Sequence, residues 1–271
     1  MKKYLSFVMI FVLMIFSTSC KKSTGSVELV IFAAASMTNT LEEIAILYKE
    51  QSPNVSLIFN FDSSGTLKTQ IQEGAYSDLF ISAGQLQMDQ LDINASPLAN
   101  TERLDFVLAG TRLDLLENRI ALCVPSGNPA GVASFDDLAD KLRHANILFA
   151  MGNSNVPVGQ YTQRILAYYG LNENVLTNAG KITYGSNVRE VATQILEASV
   201  SAGVVYQTDA HSLGLEIVDF ATVEMSGQVT YPAAVLNTSN NEDEAKAFLD
   251  FLQTPQVMAV FEKVGFSAVR P

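Results

Sequence analysis

Apolar and polar positions along this chain change period again and again. Val27–Phe32 is a β-rich, mainly apolar run, and Leu41, Ile44, Ala45 and Tyr48 then recur at helical spacing. The unit is strand, turn, helix, and it repeats. Val55–Phe59 predicts a strand, Asp62–Gly65 a turn, the stretch through Ile71 a short helix, and Asp78–Ser82 another strand. Further short apolar runs stand at Ile120–Val124, Ile147–Ala150 and Gly203–Tyr206, while Val158–Tyr169 and Val188–Ala198 carry apolar residues every three or four positions. Strands alternating with helices imply parallel βαβ units with helices on both faces of the sheets. From Glu242 to Phe266 the pattern is helical, with Ala245, Phe248, Leu249 and Leu252 before Pro255 and Val257, Val260, Phe261 and Val264 after it. This tail predicts a helix pair packed back on a sheet.

The first 20 residues, MKKYLSFVMIFVLMIFSTSC, follow another logic: two lysines, a short apolar run, then small residues ending at Cys20. This is the layout of a secretory signal peptide, and its apolar run is shorter than the roughly 20 residues a membrane span needs. The small residues before Cys20 resemble a bacterial lipobox, which implies a signal peptide over 1–19, a lipidated Cys20 and a tether over 20–26. Plain secretion with an unmodified Cys20 is the alternative. The expected location is the periplasm or the outer face of the cell membrane. Acylation of Cys20 would leave Cys123 without a partner, and its setting in IALCV reads as a buried, inert thiol.

The whole chain has 271 residues, of which 48% are hydrophobic and 17% charged, enough apolar material for one large domain or two lobes. Its net charge of −11 argues against nucleic acid as a partner, because such binding relies on basic residues at phosphates. Loss of the leader removes Lys2 and Lys3 and makes the exported part more acidic still.

In open α/β sheets ligands bind beyond the carboxyl ends of the strands, where helix N-termini present free N–H groups. Four turns occupy such places: Phe32–Ser36, Phe61–Thr66, Asn155–Gly159 and Tyr184–Val188. Ser36 reads as the N-cap of the first helix, Ser186 or Asn187 as the cap of the fourth, and Pro157 lies next to the first turn of the third. Each alone is an ordinary cap. Together they describe an anion site built from dipoles, since about half an elementary charge per helix end sums over four ends to roughly two. Such a site needs no lysine or arginine, so an acidic protein can hold a small dianion.

These turns carry a resemblance. The blocks IFAAASMTN (31–39), FDSSGTL (61–67), DLFISA (78–83), VPVGQY (156–161), SNVR (186–189), GVVY (203–206), YP (231–232) and the final PQ…GF (255–266) are, in this order, similar to the periplasmic molybdate-binding proteins of bacterial ABC transporters. The resemblance implies a two-lobed α/β fold, the type II periplasmic binding-protein architecture. Two mostly parallel sheets flanked by helices would enclose a ligand cleft, with 27–116 and 232–271 as lobe one and 117–231 as lobe two. The chain would cross near Leu115–Ile120 and return near Gln228–Leu236. The resemblance further implies an oxyanion held by the hydroxyls of Ser36 and Ser64, the backbone N–H groups of Val158 and Val188, and the hydroxyl of Tyr206. Molybdate or tungstate is then the ligand, bound as an oxyanion without direct metal-ion ligands, and no cofactor is expected. The implied partners are a membrane permease and, through Cys20, the membrane itself, with the protein a monomer. Gly65 replaces a third serine seen in some relatives. Asp62 should face away from an anion or raise a discrimination penalty.

Sulfate and phosphate binding remain open alternatives, as does a serine hydrolase using Ser36 or Ser64. The hydrolase reading is the weaker: there is no G-x-S-x-G elbow, and the two histidines read as surface (His144, in the polar run KLRH) and loop (His211). No pair of histidines or cysteines stands at metal-ligand spacing.

Overall fold

The computed structural model of the protein describes residues 26–269, so the expected leader, Cys20 and the tether up to residue 25 lie outside the described residues. Strand β1 (Val27–Ala34) runs through a 3-10 turn (Ala35–Met37) into α1 (Thr38–Gln51). Next, β2 (Val55–Asp62) leads to α2 (Ser64–Gln72), and β3 (Leu79–Ile81) to the short α3 (Gln85–Asp89). After β4 (Leu113–Asn118) come β5 (Ile120–Val124), α4 (Phe135–His144), β6 (Phe149–Gly152), α5 (Pro157–Tyr168), α6 (Glu173–Asn178) and β7 (Ile182–Gly185). These are followed by α7 (Val188–Leu196), β8 (Ala202–Tyr206), α8 (Gln207–Leu213), β9 (Glu216–Phe220) and α9 (Val223–Ser226). Finally come β10 (Val229–Val235), α10 (Glu242–Leu252), α11 (Pro255–Lys263) and β11 (Ser267–Ala268).

The strands form two sheets, ordered β11-β4-β10-β3-β1-β2 and β7-β6-β8-β5-β9. The trios β2-β1-β3 and β7-β6-β8 are parallel, but β10 is antiparallel to both its neighbours and so is β5. The sheets are therefore mixed and not mostly parallel. The cause lies in the crossings: β4 passes into β5 through Arg119 alone, and β10 also starts at the lobe boundary, where β3 and β4 end. A strand starting where its neighbours end must run against them. The expected lobe limits shift for the same reason. Glu117 and Asn118 finish β4, and Val229–Tyr231 open β10, so both ends of the 117–231 segment belong to the first sheet.

Alternation along β1 explains the helices on both faces of its sheet. Ile31 and Ala33 join the large core that includes Leu41, Ile44 and Phe248, whereas Phe32 joins Phe80 in a second core closed by Leu67, Ile71 and Met88. The C-terminal helices fold back on lobe one, where Tyr48 meets Phe248 edge to face at 4.9 Å.

The run KLRH is more than solvated surface. It ends the amphipathic α4, with Leu142 buried and Ser134 capping the first turn by accepting from the Asp137 N–H at 3.1 Å. His144 itself is exposed, as is His211 on α8. Cys123 is fully buried in β5, and burial pushes its thiol up to about 12.

Candidate ligand-binding site

Parallel pairing brings strand ends together. In lobe one Ala34 stands beside Asp62, and in lobe two Gly152 stands beside Gly185, so each pair of neighbouring strands delivers two turns to one edge. The two edges face each other across a small cavity lined by Ala34, Ala35, Ser36, Asp62, Ser63, Ser64 and Ala83 from lobe one and Val156, Pro157, Val188 and Tyr206 from lobe two. Its interior measures about 10 Å³, room for about one water-sized sphere. That is far below the roughly 300–1,000 Å³ of pockets for drug-sized ligands. Only a small group fits such a space, and no Lys, Arg or His is among the lining residues.

Four of the five residues singled out in the sequence, Ser36, Ser64, Val188 and Tyr206, line this cavity. Val158 is buried one residue behind Pro157, which lines it. Ser36 sits within the 3-10 turn and caps nothing with its side chain; the residue before α1 is Met37. The N-cap of α2 is Ser63, whose hydroxyl accepts from the Thr66 N–H, so Ser64 is the first helical residue and its hydroxyl is free of capping duty. In lobe two Pro157 and Val188 open α5 and α7, with Asn187 capping α7 through the Glu190 N–H at 3.1 Å. The first N–H groups of a helix have no intrahelical acceptor, and among the described residues none accepts from the N–H of Val158 or Val188.

The Ser64 hydroxyl is poised as a donor. The Ala83 N–H donates to Ser64 Oγ at 2.9 Å, which occupies an acceptor position and leaves the Ser64 O–H free. Asn118 Nδ2 donates to the Tyr231 oxygen at 3.2 Å, and Tyr231 Oη lies 2.9 Å from Ser36 Oγ, with either hydroxyl of that pair able to donate. When Tyr231 donates, a relay Asn118→Tyr231→Ser36 frees the Ser36 O–H in the same way. Burial holds the Tyr206 and Tyr231 phenols well above their ordinary value, so both stay protonated donors. Tyr206 donates to the Ala83 carbonyl at 3.3 Å, across the lobes.

Asp62 does not face away: it lines the cavity. Its Oδ1 accepts from the Ser63 N–H at 2.7 Å and stands 3.4 Å from Asn187 Nδ2 of the opposite lobe. Other bonds close the lobes as well. Arg189 Nε donates to the Ala35 carbonyl at 3.2 Å and its Nη2 to Asn39 Oδ1 at 3.2 Å, while Asn118 Nδ2 also reaches Thr208 Oγ1 at 3.0 Å. Behind Arg189 lies Asp209, fully buried, with Oδ1 3.1 Å from Arg189 Nε. That pair is close enough for charge attraction but is not aligned as a hydrogen bond, and neither Asp209 oxygen has a hydrogen-bond partner. Burial pushes the Asp209 carboxyl up to about 7, with the Arg189 charge pulling the other way.

Tyr231, Asn118, Arg189 and Asp209 were not among the sequence-derived site residues. Tyr231 and Arg189 fall inside the blocks YP and SNVR, so those blocks held a signal, but their partners lie far along the chain.

A family description, "Bacterial extracellular solute-binding protein", matches residues 29–267. A Bacillus subtilis protein named as an ABC transporter substrate-binding lipoprotein, YvgL, is 33% identical over 98% of this chain and 99% of its own. The molybdate-binding protein ModA of Haemophilus influenzae is 31% identical over 90% of this chain and 91% of its own. Among solved structures, the periplasmic molybdate-binding protein of Azotobacter vinelandii superposes with a TM-score of 0.74 at 21% identity, covering 90% of this chain and 99% of that one. With its two mixed sheets and the cavity between them, the chain belongs to the bacterial extracellular solute-binding proteins.

Proposed function

We propose that this protein is the substrate-binding component of an ABC importer and that its ligand is a tetrahedral oxyanion, molybdate with tungstate alongside. The observation that carries the reading is a small interlobe cavity lined by free hydroxyl and helix-end N–H donors and by no cation. Ser36 and Ser64 would donate from lobe one, and the N–H groups of Val158 and Val188 from lobe two. Tyr206 would turn its hydroxyl from the Ala83 carbonyl to the anion. The ends of α2, α5 and α7 at the cavity, with α1 one turn away, supply partial positive charge to a dianion without a counter-ion. Closure around the ion presents one shape to a membrane permease, and lipidation at Cys20 would keep the monomeric protein beside it on the outer face of the membrane.

A hydrolase reading finds no support in the geometry. Ser64 Oγ accepts from a backbone N–H, Ser36 Oγ pairs with a tyrosine, and His211 is exposed on α8, so neither serine has a general base. Phosphate has one observation in its favour: Asp62 lines the cavity and could accept the proton of a monohydrogen phosphate.

Thermal unfolding with molybdate, tungstate, sulfate and phosphate in turn tests the assignment, since a ligand bound only by the folded state stabilises by RT ln(1 + [L]/Kd). Molybdate and tungstate should raise Tm most. A shift with phosphate and none with molybdate would overturn the choice of ion.

A further inference from the structure

Gly65 is the second residue of α2, and its backbone is ordinary helix without a positive φ. Nothing local asks for glycine there, and almost any other residue would favour the helix more. The opposite lobe supplies the reason. A Cβ at position 65 would lie 2.0 Å from the carbonyl oxygen of Asn155 and 2.9 Å from its carbonyl carbon, in the loop between β6 and α5. These are backbone atoms in a braced loop, where the Asn155 N–H donates to Asn153 Oδ1 at 2.9 Å and the Val156 N–H to the Asn153 carbonyl at 3.0 Å. No rotamer change can clear them. A second glycine faces the same segment: a Cβ on Gly84 would lie 3.3 Å from Pro157 Cβ. Lobe one thus offers two bare positions to the loop and helix end that carry the lobe-two side of the cavity.

We propose that Gly65, seconded by Gly84, sets how far the two lobes of this chain close, further than the serine of some relatives would allow here, and so how near its donors come to one tetrahedral ion from both sides. Gly65 is a positioning residue, adjacent to Ser64 but without a donor of its own in the cavity. Any side chain there would hold the loop of Asn155 away by more than an ångström, and the first turn of α5 would withdraw with it. This inference rests on the oxyanion reading above.

The test is Gly65→Ala, which adds one methyl group and suits the helix. Wild type and variant are compared by calorimetric titration with sodium molybdate, by Tm without ligand, and by the change in radius of gyration on adding molybdate. The expected result is a loss of affinity of about tenfold or more, the scale of forcing a methyl group into a packed contact. Molybdate-induced compaction should be reduced, and the unliganded Tm unchanged or raised, because the three atoms nearest that methyl group all belong to Asn155 of lobe two and none to lobe one. Equal affinity and equal compaction in the two proteins would overturn the inference and leave the oxyanion reading standing. A marked fall in unliganded Tm would also overturn it, since Gly65 would then serve lobe one alone. A wild-type protein that binds none of molybdate, tungstate, sulfate and phosphate would remove the oxyanion reading and this inference together.

Discussion

On the proposed reading lobe one would meet the ion with side-chain hydroxyls alone, Ser36 and Ser64, whereas lobe two would add to the Tyr206 hydroxyl the N–H groups of helix ends at Val158 and Val188. The hydroxyls are aimed by partners within their own lobe, Tyr231 for Ser36 and the Ala83 N–H for Ser64. The N–H groups are aimed by the helix backbone itself, set by Pro157 at the start of α5 and the Asn187 cap of α7. One half of the proposed site is therefore written in side chains and the other largely in backbone. Substitutions should discriminate between them: lobe one is sensitive to what a side chain carries, the helix ends of lobe two only to whether an N–H remains.

The largest effect belongs to Ser64→Ala. Loss of a hydrogen bond to a charged ligand should weaken molybdate binding by about 1.5–3 kcal/mol. The same change strands the buried Ala83 N–H, so the unliganded protein should also lose stability, by about 1–3 kcal/mol. Ser36→Ala should match the affinity loss with a smaller stability loss, because Tyr231 keeps Asn118 as a partner. Titration calorimetry and urea unfolding of both variants separate the two quantities. Unchanged affinity in either variant would remove that serine from the site.

Val188→Pro is the counterpart in lobe two. Proline is at home in the first helical position, and Asn187 before it already has the extended backbone that a following proline requires, φ −151° and ψ 172°. The substitution deletes one N–H and little else. Affinity should fall by about 1.5–3 kcal/mol, as for the serines, while α7 persists by circular dichroism. Full affinity in Val188→Pro would show that lobe two does not bind through this N–H.

Asp209 adds a pH dependence of a different origin. Its folded carboxyl is raised to about 7, so the folded chain holds a proton that the unfolded chain releases from the ordinary carboxylate range upward. Protonation thus contributes stability that is fully present below about pH 4 and lost as pH rises through about 7. The difference in unfolding free energy between wild type and Asp209→Asn should therefore move in favour of wild type as the pH falls from 8 to 5, in urea titrations at each pH. Parallel pH profiles would mean that Asp209 is charged in both states.

How much of this was legible in the sequence follows the same divide. Parallel strands buried on both faces, such as β1 and β8, are continuous apolar runs and stand out, as do α5, α7, α10 and α11 by their spacing. Of the antiparallel strands, β5 stands out in the same way, but β4, β9 and β10 do not. In β4 and β9 the charged residues Asp114, Glu117, Glu216 and Asp219 interrupt the apolar pattern, and β10 contains Pro232 beside a register shift. Within the site, the turns were visible because a cap leaves a local signature. The relay of Asn118, Tyr231 and Ser36 was not, since Tyr231 lies 195 residues from Ser36 and only the sheet brings them together. At Asp62 local partners temper the charge: its oxygen is held by the Ser63 N–H and lies near the Asn187 amide, which makes a carboxylate tolerable at the rim.

The smallest expected effect on affinity is the one that isolates the backbone half. Val188→Ala keeps the N–H at the same helical position and removes two methyl groups from a buried side chain. Stability should fall by about 2 kcal/mol, about 1 for each buried carbon removed. Affinity for molybdate should stay within about 0.5 kcal/mol of wild type, the spread of substitutions that break no specific contact. Set beside Val188→Pro at the same position, the pair separates donor from side chain. If alanine costs as much affinity as proline, the valine side chain shapes the cavity and the contrast between the lobes fails; if only proline does, the ion is held there by the peptide group alone.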